Sequence, residues 1–458
     1  MATILHERRA RLVREARATL RLALPLIAGQ LSTIGMNVID ALLAGHLDAH
    51  TLGAVAIGTS VWSLVIVIAI GVMLALPPSV AQLHGAGRAD AIGPLFRQGV
   101  WLALGLGLLL LLAMRYGGAA LAGMIGLDPP LVPDVIAFVH AIAWGAPALT
   151  LFFALRGLGE GLGLTRPTMY FSALGLFLLG PLGYVLMYGK LGLPRMGAHG
   201  SGIATALVLW LQMLAFALYV LRSRHYRHLH LLARFERPNR RALADLLHIG
   251  LPMGVTMFME ASLFVAVALA IGTLGTDVVA SHQIALNVAS VAFMVPLGLA
   301  MAVTVRVGHA VGRGDAQGVR DAGWVGIALT LATQCVSAGA MLLLPQRIAA
   351  LYTTDAAVIA LAAQLLVLAG LFQFSDGIQV AANGALRGLK DTRLPMVITM
   401  FAYWGVGMPV GALLAFPQGL GARGMWIGLI AGLSVAALLL PWRFWKLSRR
   451  VPAARGIE

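Results

Sequence analysis

Apolar stretches of about 20 residues recur along the whole of this 458-residue chain. A helix of that length crosses the hydrocarbon core of a bilayer, which is about 30 Å thick. Hydrophobic residues make up 59% of the chain and charged residues 11%, whereas soluble domains carry about 25% charged residues. We therefore predict an all-α polytopic membrane protein with twelve transmembrane helices, at approximately 20–44, 52–80, 94–114, 132–155, 169–188, 201–221, 246–271, 278–305, 324–344, 357–385, 395–415 and 424–442.

The net charge of +15 is distributed unevenly between the loops. If the N-terminus is cytoplasmic, 28 of the 33 Lys and Arg residues fall on the cytoplasmic side, and the others are Arg115, Lys190, Arg195, Arg347 and Arg423. This bias follows the positive-inside rule and, with an even number of spans, predicts that both termini are cytoplasmic. Because no aromatic-interleaved basic groove or folded module accompanies the charge, we expect no nucleic-acid partner.

The sequence also repeats itself. Leu24-Pro25 recurs 227 residues later as Leu251-Pro252, and the Leu-Arg-Gly-Leu of 155–158 recurs at 386–389. Such repeats are typical of secondary transporters. They predict two six-helix lobes related by a pseudo-twofold axis along the membrane normal, with the binding cleft between them. The predicted boundaries are 1–221 for the first lobe, 222–241 for a basic cytoplasmic linker and 242–458 for the second lobe.

The repeated Leu-Arg-Gly-Leu segments and the histidines of the linker each allow more than one interpretation. We interpret the repeated Leu-Arg-Gly-Leu segments as loop geometry and orientation signals at cytoplasmic helix ends. The linker contains His225, His228 and His230, which are typical of a solvated segment facing lipid headgroups rather than of a metal site.

Three of the 18 acidic residues, Asp40, Glu260 and Asp376, lie well inside apolar runs, and the other 15 fall in loops, tails or terminal helical turns. A charged side chain at the centre of a span costs about 2.5–3.5 kcal/mol on insertion scales, so it indicates a functional site. Polar residues share the helix faces of two of these acids and form a third stripe on helix 8: Gln373, Gln379 and Asn383 with Asp376; Gln30, Thr33 and Asn37 with Asp40; and Gln283, Asn287 and Ser290 together. Interhelical hydrogen bonding alone explains Gln30, Ser290 and Gln379, but it does not require an ionisable group.

The residue types around Glu260 and Asp376 favour binding of cations. Two carboxylates supply hard oxygen ligands for Na⁺ or sites for exchangeable protons, and Asn287 adds a neutral oxygen. Apolar side chains beside them, Met257, Phe264 and Phe372, form a wall suited to lipophilic cations, although ordinary packing also explains them. We place Gln283, Gln373 and Asn37 with these three residues as candidates for the substrate cleft.

Four short motifs, distributed along the whole sequence, occur in the same order as in a known family. They are Asp40 followed by Ala44-Gly45, Ala-Ser-His-Gln-Ile-Ala-Leu-Asn at 280–287, Arg-Val-Gly-His-Ala-Val-Gly at 306–312, and Gly-Ala-Leu-Arg-Gly-Leu-Lys-Asp-Thr-Arg at 384–393. Together they resemble the NorM-type branch of the multidrug and toxic compound extrusion (MATE) transporters. The resemblance implies a twelve-helix antiporter of the bacterial inner membrane that exports cationic drugs in exchange for Na⁺ or H⁺, without a cofactor. We expect a monomer surrounded by membrane lipid.

The resemblance also implies roles for single residues. Glu260 and Asp376 match the cation site of the second lobe, Asn287 matches a position associated with that site, and Asp40 matches an ion site of the first lobe. Helix 5 departs from the family pattern, because Gly180 and Gly183 stand where asparagines usually flank a Pro-Leu pair. We therefore predict that coupling runs mainly through Glu260 and Asp376, and that Asp40 is structural or binds protons only.

Two other classes of protein stay open. A flippase of lipid or lipid-linked oligosaccharide shares the two-lobed plan, but we find no strongly basic residue within the spans to hold a phosphate. A membrane-embedded enzyme would use Asp or His residues clustered at a membrane surface, often with a metal, and the sequence contains no such cluster. We accordingly expect a transporter rather than an enzyme.

Overall fold

The computed structural model describes residues 2–124, 129–231 and 233–451, with side chains excluded at 2–5 and 118–124. All regular elements in these ranges are helical, which confirms the predicted fold class. Within the described residues, eleven helices are long and apolar enough to cross a membrane, and a bent pair of shorter helices raises the number to as many as twelve.

The bent pair lies where the sequence predicts one span at 132–155. Val132–Ala143 and Ala146–Gly161 meet at an angle of 43°. Pro147 has no N–H to donate to the carbonyl of Ala143, and its ring crowds that carbonyl, so a straight helix cannot continue through this point. The break is one difference between the predicted and observed helices.

The chain divides into two compact units. One unit comprises Ala28–Gly254. Its helices are the second part of α1 (Ala2–Leu47), α2 (Ala49–Met73), α3 (Leu76–Gly85), α4 (Ala89–Met124), α5 (Val132–Ala143), α6 (Ala146–Gly161), α7 (Arg166–Tyr188), α8 (Gly197–Arg222), α9 (Arg224–Arg227) and the first part of α10 (Arg240–Gly272).

The other unit comprises Met1–Ile27 and Val255–Glu458. After the remainder of α10 it contains α11 (Thr276–Gly312), α12 (Ala316–Leu343), α13 (Pro345–Ala350), α14 (Ala356–Gly388), α15 (Arg393–Met400), a π-helical stretch (Phe401–Gly407), α16 (Met408–Ala415) and α17 (Ala422–Ser448). The unit boundaries therefore fall inside α1 and α10, whereas the repeat places the lobe boundary at 222–241. The lobe boundaries taken from the repeat stay a prediction.

The linker is docked on α4 more closely than the sequence indicates. Its histidines are exposed as expected, but Leu229 and Leu231 are buried. The guanidinium of Arg97 donates to the carbonyl of His230 at 3.0 Å and forms an ion pair with Glu236 at 2.5 Å. The hydrogen bond that the Arg97 guanidinium donates to the Glu236 carboxylate holds the pKa of Glu236 below its ordinary value. The basic linker is thus fastened by Arg97 and is not solvated along its whole length.

Candidate functional site

Glu260 and Asp376 line one cavity of about 240 Å³ within the unit that contains residues 255–458. Glu260 lies on α10 and Asp376 on α14. Asp376 is buried, and the negative charges of the two carboxylates repel each other. The two acids that lie deep in apolar runs of the second half of the chain are therefore close enough to act on one ligand.

Aromatic side chains form much of the remaining wall. Phe372 packs edge-on against Phe264 and against Trp426, with ring centroids 6.2 and 5.8 Å apart. Trp426 was not singled out in the sequence, although it is fully buried and its indole N–H donates to His282 at 3.2 Å. A pair of acids beside aromatic faces is suited to binding a lipophilic cation.

The polar stripe on α14 has two different functions in the structure. The amide of Gln379 donates to a carboxylate oxygen of Asp376 at 3.3 Å, and the Gln379 amide oxygen is buried without a hydrogen-bond partner. Gln373 is fully buried and does not line the cavity. Its amide oxygen accepts a hydrogen bond from Gln334 at 2.7 Å, so Gln373 joins α12 to α14.

Besides Gln373, three other residues predicted for this site lie outside the cavity. Gln283 and Asn287 are exposed on α11, and Met257 is partly buried on α10. On α11, Ser290 supplies a lining hydroxyl group in their place. The predicted roles of Asn287 in cation binding and of Gln283 and Met257 in the cleft stay predictions.

Arg387 and Tyr403 belong to the same charged cluster and were missed in the sequence. The positive charge of Arg387 attracts Glu260, and its Nε is buried without a hydrogen-bond partner. The buried hydroxyl of Tyr403 likewise has no hydrogen-bond partner. A sequence signal existed for Arg387, because the spacing of Asp376, Gln379 and Asn383 continues to it at helical intervals.

The interpretation of Leu-Arg-Gly-Leu as a loop signal is wrong for its arginines. Both segments lie within helices near their C-terminal ends, α6 and α14. Arg156 is 5% exposed and pairs with Glu160 at 2.5 Å. Glu160 is therefore a buried acid, although its position near a helix end predicts a peripheral one.

A smaller cavity of about 120 Å³ surrounds Asp40 in the unit 28–254. Asn37 lines it with Asp40, as their three-residue spacing on α1 predicts. The carboxylate of Asp40 accepts a hydrogen bond from Ser201 on α8 at 2.6 Å. Ser201 therefore supplies the polar partner that the glycines at 180 and 183 cannot supply.

The side-chain atoms that could ligate a cation in the cavity of Glu260 and Asp376 are all oxygens. They belong to Glu260, Asp376 and Ser290. Oxygen donors with two negative charges suit Na⁺ or protons, whereas soft metals prefer sulfur or imidazole ligands. No group of three His, Cys, Asp or Glu residues suited to a metal ion occurs in the parts of the chain that the structure describes.

A family model described as MatE matches the chain twice, at residues 25–185 and 252–413. The two matches begin 227 residues apart, which is the offset of the sequence repeat. Each match thus covers one copy of the repeat.

Named relatives match along nearly the full length. The chain is 52% identical to the probable multidrug resistance protein NorM of Xanthomonas campestris pv. campestris, and the match covers 97% of this chain and 96% of that protein. It is 44% identical to the multidrug resistance protein PmpM of Pseudomonas aeruginosa, covering 95% of this chain and 92% of that protein.

Solved structures share the fold at low sequence identity. The crystal structure of the eukaryotic MATE transporter AtDTX14 matches with a TM-score of 0.86 at 22% identity, covering 96% of this chain and 98% of that chain. The outward-facing conformation of a multidrug resistance MATE family transporter of the MOP superfamily matches with a TM-score of 0.87 at 21% identity, covering 95% and 96%. The family model spans most of the chain and the relatives nearly all of it, so this protein belongs to the MatE family.

Proposed function

We propose that this protein is a secondary active multidrug efflux transporter that exports organic cations in exchange for Na⁺ or H⁺. The observation that carries the proposal is the joint placement of Glu260 and Asp376 against Phe264, Phe372 and Trp426 in one cavity. The names of the relatives NorM and PmpM as multidrug resistance proteins support the same function.

The coupling mechanism follows from competition for negative charge. A Na⁺ ion or protons neutralise the acid pair, and an organic cation neutralises it equally well while its apolar part contacts the aromatic rings. If the coupling ion stabilises the conformation open to one side of the membrane and the organic cation stabilises the conformation open to the other side, binding of one promotes release of the other. Thermodynamic coupling between the two ligands is reciprocal. We assign coupling to Glu260 and Asp376, with Asn287 and Asp40 as further candidates.

The proposed setting is the bacterial inner membrane, with both termini cytoplasmic and the protein acting as a monomer among membrane lipids. The Lys and Arg distribution between loops supports this orientation. Lipophilic cations are the proposed small-molecule partners, and nucleic acid is not a partner. The mechanism requires no cofactor other than the coupling ion and no chemical change of the substrate.

A flippase with the same fold is the alternative. Such a protein needs positive charge available for a phosphate inside its spans. Here Arg156 is paired with Glu160 and Arg387 is attracted by Glu260. Because both arginines face acids, the charge balance favours export of cations over transport of phosphate-bearing lipids.

Transport into proteoliposomes tests the function. A fluorescent organic cation is followed under an imposed Na⁺ gradient and, separately, under an imposed pH gradient. We expect at least one gradient to drive accumulation, and Glu260→Gln and Asp376→Asn to reduce it strongly. Asp245→Asn is the matched control, since Asp245 is an exposed acid on the same helix as Glu260. Equal transport with and without both gradients would refute antiport.

A further inference from the structure

A third cavity, of about 520 Å³, lies between three helices of the unit that contains residues 1–27 and 255–458. Arg8 from α1, Arg320 and Trp324 from α12, and Trp445 and Arg449 from α17 line it. Its volume is within the range of about 300–1,000 Å³ that is typical of small-molecule sites. The cavity is separate from the one that contains Glu260 and Asp376.

The acid in this cavity is already paired. Asp321 forms an ion pair with Arg11 at 2.8 Å and accepts a hydrogen bond from the amide of Gln317 at 3.0 Å. Its negative charge is therefore balanced by Arg11, a residue that does not line the cavity.

The three lining arginines have no such balance. Arg8, Arg320 and Arg449 form no ion pair with an acid in the described ranges 2–124, 129–231 and 233–451. Arg320 donates to the neutral amide oxygen of Gln317 at 2.7 Å, and the Arg449 guanidinium lies 3.9 Å from the centroid of the Trp445 ring. The cavity consequently presents several guanidinium groups without an opposing negative charge.

The surrounding aromatic residues indicate where this cavity lies in the membrane. The tryptophans at 324, 442 and 445 are 42%, 53% and 40% exposed, respectively. Exposed tryptophans on transmembrane helices concentrate at the level of the lipid headgroups, where the ring meets both acyl chains and water. A ligand at this level has access to guanidinium groups and to an apolar surface at the same time.

We propose that this cavity binds the phosphate of an anionic phospholipid headgroup. Guanidinium groups donate paired hydrogen bonds to phosphate oxygens, and basic pockets between transmembrane helices are suited to such headgroups. Inorganic phosphate offers the same oxygens, but it has no acyl chains to contact Trp324 and Trp445. The lipid would connect the first turns of α1 to α12 and α17, next to the Arg11–Asp321 ion pair.

Lipid binding is measured on the delipidated, purified full-length protein by native mass spectrometry and by the thermal unfolding midpoint. The probes are cardiolipin, phosphatidylglycerol, phosphatidylcholine and inorganic phosphate. We expect the two anionic lipids to bind and to raise the midpoint, and phosphatidylcholine and inorganic phosphate at the same concentration to do neither. Arg320→Gln with Arg449→Gln should weaken anionic-lipid binding by about fivefold per arginine, which corresponds to about 1 kcal/mol for each basic residue at a membrane surface.

Arg313→Gln is the matched control, because Arg313 is exposed in the loop before α12 and does not line the cavity. It should leave lipid binding unchanged. An equal loss of lipid binding in this control would show that general surface charge attracts the lipid. An equal rise of the unfolding midpoint with inorganic phosphate would show that the site does not select a lipid. Either result would overturn the proposal, as would unchanged cardiolipin binding in the double variant. None of these readouts depends on transport.

Discussion

Two arginines occupy matching positions of the repeat but face different acids. Arg156 pairs with Glu160, four residues later on the same helix. The residue four positions after Arg387 is Asp391, which pairs instead with Arg443 at 2.9 Å. Arg387 thus has no acid partner of its own at that position, and its charge acts on Glu260. The same four-residue motif therefore has a structural ion pair in one half and a charge beside the proposed coupling site in the other.

Replacing Arg387 with Gln should strengthen cation binding at Glu260 and Asp376, because the competing positive charge is removed. A change of about 1.4 kcal/mol in that interaction would lower the Kd of a monovalent organic cation about tenfold. Binding is measured in detergent by titration calorimetry. Arg387→Lys, which keeps the charge, should bind as wild type does. An unchanged Kd in Arg387→Gln would contradict this account.

Breaking the buried Arg156–Glu160 pair should destabilise the fold. Glu160→Gln removes the acid that pairs with the buried guanidinium of Arg156, and removing one partner of a buried pair costs about 3–5 kcal/mol. Arg156→Met combined with Glu160→Leu should be less harmful, since no charge remains buried. Thermal unfolding of both variants measures the difference. A single variant as stable as wild type would show that the pair is not structurally important.

Buried acidic residues are easier to predict from the sequence than the side chains that contact them. The depth of Glu260 and Asp376 in apolar runs was sufficient to select them, because burial of a carboxylate is costly wherever it occurs. Ser201 and Tyr403 are ordinary residues whose importance comes from helices that are distant in sequence. Their contacts depend on helix packing, which the periodicity of single helices does not specify.

At the scale of helices, α11 and α14 approach each other closely beside the proposed site. A Cβ atom on Gly384 would lie 2.4 Å from the carbonyl oxygen of Ala300. The hydroxyl of Thr304 donates to the carbonyl of Gly384 at 2.8 Å across the same interface. Small residues permit this approach between transmembrane helices, and a polar side chain strengthens it.

Gly384→Ala should therefore force the two helices apart. Overpacking of this kind costs about 1–3 kcal/mol, and the shift would also displace Asp376 on the same helix. The thermal unfolding midpoint should fall, and organic-cation binding should weaken. Gly339→Ala is the control, because a Cβ atom there meets open space on α12. Equal stability of the two variants would argue against a close interface at Gly384.

The docked linker gives a second prediction at this scale. The pKa of Glu236 is lowered by Arg97, so the ion pair stabilises docking fully at neutral pH and loses its effect as pH falls through that lowered pKa. Arg97→Ala should increase protease cleavage in the linker about twofold to fivefold at pH 7, consistent with the modest energy of a partly exposed pair. In the wild type, acidification below about pH 4 should increase hydrogen exchange there, since Glu residues ordinarily titrate near that value. Linker exchange that is unaffected by Arg97→Ala would contradict docking by this pair.

Helix positions were more predictable than helix breaks. Apolar runs locate the spans because bilayer thickness sets their length. The bend between α5 and α6 depends on Pro147, which lies within a predominantly apolar run. The docking of the linker was not evident because its buried residues, including Leu229 and Leu231, are separated by basic ones.

At the scale of the whole molecule, the sequence repeat agrees with the two matches of the family model. The two MatE matches reproduce the offset of 227 residues, so one family model matches both halves of the chain. Their acids are not equivalent, because the offset pairs Asp40 with Val267 and Glu260 with Thr33. The cavity around Asp40 is also smaller than the one around Glu260 and Asp376, and the carboxylate of Asp40 has a neutral hydroxyl partner, Ser201. This asymmetry supports coupling mainly through Glu260 and Asp376.

The most direct test of that assignment is ion movement driven by substrate. Proteoliposomes receive an organic-cation gradient, and the opposite flow of Na⁺ or H⁺ is recorded for wild type, Glu260→Gln and Asp40→Asn. We predict that Glu260→Gln abolishes the counterflow and that Asp40→Asn retains a substantial part of it. Counterflow that persists in Glu260→Gln and disappears in Asp40→Asn would contradict the assignment of coupling to the second half of the chain.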